Sequence, residues 1–506
     1  MITNVLQYLD DSSIKFPNKI AYADDERKIT YLELDKETKK IACNFTGFRN
    51  KPIAIFMDKS VDCLVAMYGV VRSGNFYTII DTKMPIDRIN NIFSTLDPVC
   101  VITSSNLLDK ASSFNKDLYT FEDIIKKEID EELLIEIRNN SVDTDPIYSL
   151  FTSGSTGNPK GYVVNHRGVI DFCEAMTDTF GFNENNIFAN QSPLYFDLSI
   201  SDVYCNLKNA STVYLLKQSM FMFPTKTIDF LNEKKVNTIF WVPSALVLTS
   251  QALRIKKPEY LKQVLFCGEV MPIKQLNEWI QYCPDVMFAN LYGPAETVDA
   301  STYYIINRSF KEDELLPIGK PFKNTRVFVI DENNNKVVDK DIVGELCIGG
   351  SSLSMGYYNN KEKTKDAFVQ NPLNDKYLEL IYKTGDLVKY NEFGELVYIS
   401  RKDYQIKHMG YRIELGEIEA AISIIDEIEQ KACIYDDINK KIVLFYQGQE
   451  LSNIDILRRL KDKLPDYMIP NKIIKLDSLP HNANGKIDRK KLKENYMEGV
   501  LVWKNY

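Results

Sequence analysis

Short runs of β-branched and aromatic residues recur between amphipathic stretches over the first three hundred positions, and no other feature narrows the fold as far. The runs lie at 52–57, 99–103, 211–216, 238–242, 264–267 and 286–291, and segments such as 61–72 and 226–235 carry a helical apolar period. Strands alternating with helices predict a layered α/β architecture. With 506 residues, 44% of them apolar, the chain can bury a large core and fill about three units of ~150 residues. From about position 317 the texture changes. Runs at 326–330, 344–348, 387–390 and 395–399, separated by 333–335 and 391–394, predict a β-rich subdomain. Beyond Asp403 an amphipathic helix over 413–425, a strand over 441–446 and a helix over 454–464 predict a small α+β domain of about 100 residues. The expectation is an α/β, multi-lobed N-terminal body over residues 1–402, made of two α/β lobes and the β-rich subdomain, followed by a small C-terminal domain over residues 403–506.

Charge and cysteine usage narrow the class. Lys and Arg number 62 against 70 Asp and Glu, a net −8 without a basic tail, which argues against a nucleic-acid partner. Nine cysteines are scattered with no C-x-x-C pair, and read as reduced thiols in a cytoplasmic protein. The first ten residues lack the pattern of a secretory signal. The most apolar stretch, 63–71, is about half of the ~20 residues a membrane span requires, so no membrane insertion is expected.

The stretch Leu150-Phe-Thr-Ser-Gly-Ser-Thr-Gly-Asn-Pro-Lys-Gly161 carries the chemistry. Its glycines permit backbone that side chains would block, and its hydroxyls and lysine offer donors to a polyphosphate. A Walker loop needs Gly before the Lys and a hydroxyl after it; here Pro159 precedes Lys160 and Gly161 follows. A Ser/Gly linker is the plain alternative, but the loop lies between apolar segments 147–151 and 162–164.

The loop resembles the signature of the adenylate-forming superfamily, which includes acyl-CoA synthetases, luciferases and adenylation domains of nonribosomal peptide synthetases. Further motifs follow the same order: Thr30-Tyr-Leu-Glu-Leu34, Phe196-Asp-Leu-Ser199, Asn290-Leu-Tyr-Gly-Pro-Ala-Glu-Thr297, Gly344-Glu-Leu-Cys-Ile-Gly-Gly350, Tyr382-Lys-Thr-Gly-Asp-Leu387, Arg401-Lys-Asp-Tyr-Gln-Ile-Lys407 with Gly410-Tyr-Arg-Ile-Glu-Leu-Gly-Glu-Ile-Glu419, and Asn484-Gly-Lys-Ile-Asp-Arg489.

The resemblance implies that a substrate carboxylate attacks the α-phosphate of ATP, expelling pyrophosphate and leaving an acyl adenylate. Such a transition state calls for cations and aimed donors rather than a nucleophilic side chain. Thr152, Ser153, Gly154, Ser155, Thr156, Gly157 and Lys160 resemble the phosphate-binding positions, and Asn290, Gly293 and Thr297 accompany the nucleotide. Tyr292 resembles the ring that stacks on adenine, Asp386 the carboxylate that grips the ribose, and Arg401 an arginine contacting the nucleotide. Taken alone, Tyr292 reads as core packing and Asp386 as a turn carboxylate. Glu296 resembles the Mg²⁺ ligand; Lys486, with Glu296 and Thr152, forms the implied catalytic set. Gly410 resembles the glycine that admits a phosphopantetheine arm. Lys486 and Gly410 cannot face one site together, which implies a mobile C-terminal domain with a hinge near Asp403.

Asp197 resembles the aspartate that pairs with an amino acid's α-ammonium; followed by Ser199 and Asp202, it also reads as a helix N-cap. Leu198, Ser201, Cys267, Leu291, Asp299 and Lys486 complete the implied substrate pocket. Phe196-Asp-Leu-Ser-Ile-Ser-Asp-Val-Tyr204 and Leu265-Phe-Cys-Gly-Glu-Val-Met-Pro272 resemble the D-alanine:D-alanyl carrier protein ligases. Ser201 and Asp299 depart from that branch, where the matching residues are apolar, and Ala295 replaces a frequent threonine. The implied partner is a separate acyl or peptidyl carrier protein bearing phosphopantetheine. The alternatives are an adenylation enzyme for another small or polar amino acid in nonribosomal peptide synthesis, a small-acid CoA ligase, and a non-catalytic descendant. His166, His408 and His481 show no metal-ligand spacing, and His166 reads as structural.

Overall fold

The computed structural model describes residues 2–154, 159–340, 342–481 and 487–499. The chain divides into two compact units. One holds Met1–Thr82, Leu96–Phe151 and Gly161–Lys402; the other holds Lys83–Thr95, Thr152–Lys160 and Asp403–Tyr506.

The first unit contains two large sheets. Six neighbouring strands of the nine-stranded sheet run parallel: Met287–Tyr292, Gln263–Phe266, Thr238–Trp241, Ile187–Asn190, Thr212–Leu215 and Ile20–Ala23. Antiparallel strands close both of its edges. The other sheet is ordered Leu118–Thr120, Cys100–Thr103, Pro52–Phe56, Phe76–Ile79, Pro146–Thr152, Lys160–Asn165. All five residues of Pro52–Phe56 are buried, as expected for a parallel strand covered on both faces, where a continuous apolar run replaces alternation. Helix Val61–Arg72 begins at Ser60, whose side chain accepts the Cys63 N–H, and is buried along almost its whole length. Its Tyr68 joins a chain of buried hydroxyls: those of Tyr22 and Tyr68 lie 2.6 Å apart, one donating to the other, and both lie within hydrogen-bond distance of the Val203 carbonyl. Tyr77 and Tyr204 are paired at 3.1 Å. These bonds satisfy phenols that burial would otherwise penalise.

The β-rich subdomain is an antiparallel sheet of Lys336–Val337, Thr325–Ile330, Gly344–Gly350, Leu380–Tyr390 and Phe368–Gln370, with Leu396–Arg401 paired to Leu380–Tyr390. The expected strand over 387–390 is the end of this longer strand.

In the second unit, strands Ile428–Asp436, Lys441–Gly448 and Lys472–Lys475 form a sheet with helices Leu415–Ile422, Asn453–Lys461 and Arg489–Met497. The helix expected over 413–425 is corrected at both ends. Tyr411–Glu414 is a strand paired with Gln405–His408, with Ile406 opposite Ile413. The turn between them, Met409 and Gly410, has φ of +54° and +82°, the left-handed pair that a two-residue hairpin requires. Hydrophobic spacing read as helical over 413–414 is therefore satisfied by a strand face instead. The helix ends at Ile422, where Ser423 caps it. Among the described residues, no helix is long and apolar enough to cross a membrane.

Candidate functional site

In the first unit, the expected nucleotide residues Tyr292, Asp386 and Arg401 come together. Strand Met287–Tyr292 ends at Tyr292, whose hydroxyl donates to Asp386 Oδ2, while Arg401 Nη1 donates to Asp386 Oδ1 at 2.9 Å. Asp386 and Arg401 are cross-strand neighbours in register, which fixes the ion pair without a loop. The Asp386 backbone N–H donates to the Thr384 hydroxyl. Burial, and then the Asp386 charge, push the Tyr292 phenol well above its ordinary range, so it acts as a donor. Asn290 holds the following chain by donating its carboxamide N–H to the Pro317 carbonyl at 2.8 Å.

Glu296 sits in the 3₁₀ turn Ala295–Thr297 and is wholly buried. The Tyr357 hydroxyl donates to Glu296 Oε1 at 2.7 Å, and the Ser354 N–H donates to its carbonyl. Thr297 closes the turn through Pro294 and Ser301. Gly293 is required here, because a Cβ would lie 2.3 Å from the Asp299 carbonyl oxygen. Immediately after the turn Val298 and Asp299 both adopt left-handed backbone, at φ +56° and +59°. For a β-branched residue this is a true outlier, costing on the order of 1–3 kcal/mol.

Substrate-side residues gather at the C-terminal ends of the parallel strands, the edge where open α/β sheets bind ligands. Cys267 follows Gln263–Phe266, and Leu291 lies on the adjacent strand; both are buried. Helix Ser199–Asn209 starts after Asp197, with Leu198 at the cap position and no side-chain cap. The N-cap alternative for Asp197 is thereby corrected: its Oδ1 accepts from the adjacent Leu198 N–H at 3.1 Å, and its carboxylate is only partly buried. Asp299 is 2% exposed, and its carboxyl faces the Ser201 backbone in the first turn of that helix. Burial, then the neighbouring Asp197 and Asp202, raise its carboxyl well above the usual range.

Lys59, which carries no motif, and the burial of Asp202 escaped sequence reasoning. Lys59 donates to the carbonyls of Asn190 and Gln191, and burial lowers its ammonium to about 7 while Asp202 opposes the shift. Burial raises the Asp202 carboxyl to about 7 despite the Asn190 carboxamide bond and the Lys59 charge. Tyr357 was also missed. It lies 61 positions from Glu296, and nothing local to either residue signals the pairing.

In the second unit, the Thr152 hydroxyl is buried with no hydrogen-bond partner among the described residues. Ser153 donates to the Arg412 carbonyl and accepts the Glu414 N–H, and the Gly154 N–H donates to Glu417. Lys160 begins strand Lys160–Asn165. Asp403 accepts the Gln405 N–H. Ser155, Thr156, Gly157 and Lys486 lie outside the described residues.

The family model described as AMP-binding enzyme matches residues 9–358, so the chain belongs to that family, the adenylate-forming ligases. Zwittermicin A synthase ZmaJ of Bacillus cereus is 30% identical over 97% of this chain and 95% of its own length. Bacitracin synthase 1 of Bacillus licheniformis is 31% identical over 96% of this chain, which spans only 9% of that protein. The fold matches that of the Vibrio cholerae adenylation domain AlmE, solved in complex with glycyl-adenosine-5'-phosphate, at a TM-score of 0.86 and 21% identity over 98% of each chain.

Proposed function

We propose that this chain activates an amino acid as its aminoacyl adenylate at the expense of ATP, and passes the acyl group to the phosphopantetheine thiol of a carrier protein. Tyr292 and Asp386 receive adenine and ribose, Arg401 steadies Asp386, and the Thr152 to Lys160 loop receives the phosphates. The unpartnered Thr152 hydroxyl suits a phosphate oxygen. A buried, hydrogen-bonded carboxylate also fits a hard divalent cation: Glu296 would hold Mg²⁺, which neutralises phosphate charge when bound. The carboxylate oxygen attacks the α-phosphorus and the bond to pyrophosphate breaks, with Lys486 bridging the two charged partners. Delivering first Lys486 and then Gly410 calls for rotation of residues 403–506 about Asp403.

One observation carries the amino-acid reading: the partly buried Asp197 carboxylate stands beside Asp299 at the open end of the parallel strands. Two acids there favour a substrate cation. The D-alanine ligase-like reading draws support from buried Cys267, while polar Ser201 and Asp299 favour another small or polar amino acid. ATP–pyrophosphate exchange across D-, L- and β-amino acids and simple carboxylic acids tests the proposal. Exchange driven by amino acids alone is expected; exchange driven equally well by acetate or propionate would turn the reading to a small-acid CoA ligase.

A further inference from the structure

The acidic cluster holds more polar capacity than an α-ammonium uses. Among the described residues, Asp299 Oδ2 has no hydrogen-bond partner, and the hydroxyl of Ser201, 1% exposed, has none either. The Asp299 carboxyl faces the Ser201 backbone at the start of helix Ser199–Asn209. That leaves Oδ2 and the Ser201 hydroxyl unexplained, and such atoms are rarely left empty in a folded interior. Lys59 already faces Asp202, so it does not answer Asp299. The chain also adopts left-handed backbone at both Val298 and Asp299, where glycine would be the easy choice, and thereby delivers this carboxyl to the helix start.

Building on the amino-acid reading above, we infer that Asp299 and Ser201 select a substrate whose short side chain ends in a hydrogen-bond donor, a hydroxyl or an ammonium group, with Asp197 holding the α-ammonium. A site built to meet a donor rejects an analogue lacking it far more strongly than an apolar pocket rejects an extra methylene.

The test is ATP–pyrophosphate exchange by the full chain with L- and D-serine and 2,3-diaminopropionate, set against L- and D-2-aminobutyrate, which match them in length without a donor, and against the shorter alanine. A preference for donor-bearing substrates of at least about 100-fold in kcat/KM is expected. Serine ahead of diaminopropionate identifies the hydroxyl, and the reverse the ammonium; either supports the inference. Asp299→Asn keeps the size of the side chain and one acceptor oxygen, should melt as the parent does, and should cut the preference at least tenfold. Alanine or 2-aminobutyrate used as well as the donor substrates, or a preference unchanged in Asp299→Asn, would overturn the inference while leaving amino-acid activation standing. No exchange with any amino acid, together with exchange on simple acids, would overturn the parent reading and this one with it.

Discussion

Two polar regions of the first unit are built on opposite terms. Around Asp386 both carboxylate oxygens are engaged, by Tyr292 and Arg401, and Glu296 is held by Tyr357. Around Asp299, among the described residues, one carboxylate oxygen and the Ser201 hydroxyl have no partner, and Asp202 Oδ1 and Asn190 Oδ1 share that condition. A satisfied buried network is rigid and set in advance, whereas an unsatisfied one is costly unless something completes it. The first region thus suits a cosubstrate that is the same in every turnover, and the second suits the group that distinguishes one substrate from another.

The largest effect expected concerns the chemical step. Lys486→Ala should lower amino-acid-dependent pyrophosphate exchange by roughly 10²–10³-fold or more, with ATP binding by calorimetry largely kept; normal exchange would remove the lysine from its assigned role. Next comes a buried group that is satisfied only while neutral. His166 Nδ1 accepts the Val5 N–H at 3.2 Å, and burial lowers its pKa from 6.5 to about 4. As pH falls below 6.5 the unfolded chain takes up the proton first. The stabilisation is therefore complete above pH 6.5 and is lost on the way down to pH 4, by up to about 3 kcal/mol. Denaturant titrations over this window should show that slope, and His166→Gln should flatten it.

Tyr357→Phe attacks the satisfied region. Removing the donor to buried Glu296 should cost about 1–3 kcal/mol of stability, read from the urea midpoint. Asp299→Asn acts on the unsatisfied one and should cost less than Tyr357→Phe, because Oδ2 has no hydrogen bond to lose. If the two variants cost the same, the distinction between the regions collapses.

Strand and helix positions were readable from the sequence wherever packing covers both faces, as at Pro52–Phe56 and Val61–Arg72. They were not readable where a short apolar spacing fits two periods, as at Ile413, whose strand partner Ile406 is set by the turn at Met409 and Gly410. Ordered motifs pointed to Tyr292, Glu296, Asp386 and Asp197. Lys59, Tyr357 and the Asn190–Asp202 bond were hidden, because each depends on a partner distant in sequence or on burial that no local pattern encodes. Asp299 was visible as a departure from a related branch; its burial, with one oxygen unanswered, needed coordinates.

The most direct test of amino-acid recognition by Asp197 is kcat/KM for the preferred amino acid and for its deaminated analogue, in the parent and in Asp197→Ala. A desolvated ion pair predicts a loss of about 2–5 kcal/mol for the amino acid with little change for the analogue. An unchanged ratio between the two substrates would contradict the account.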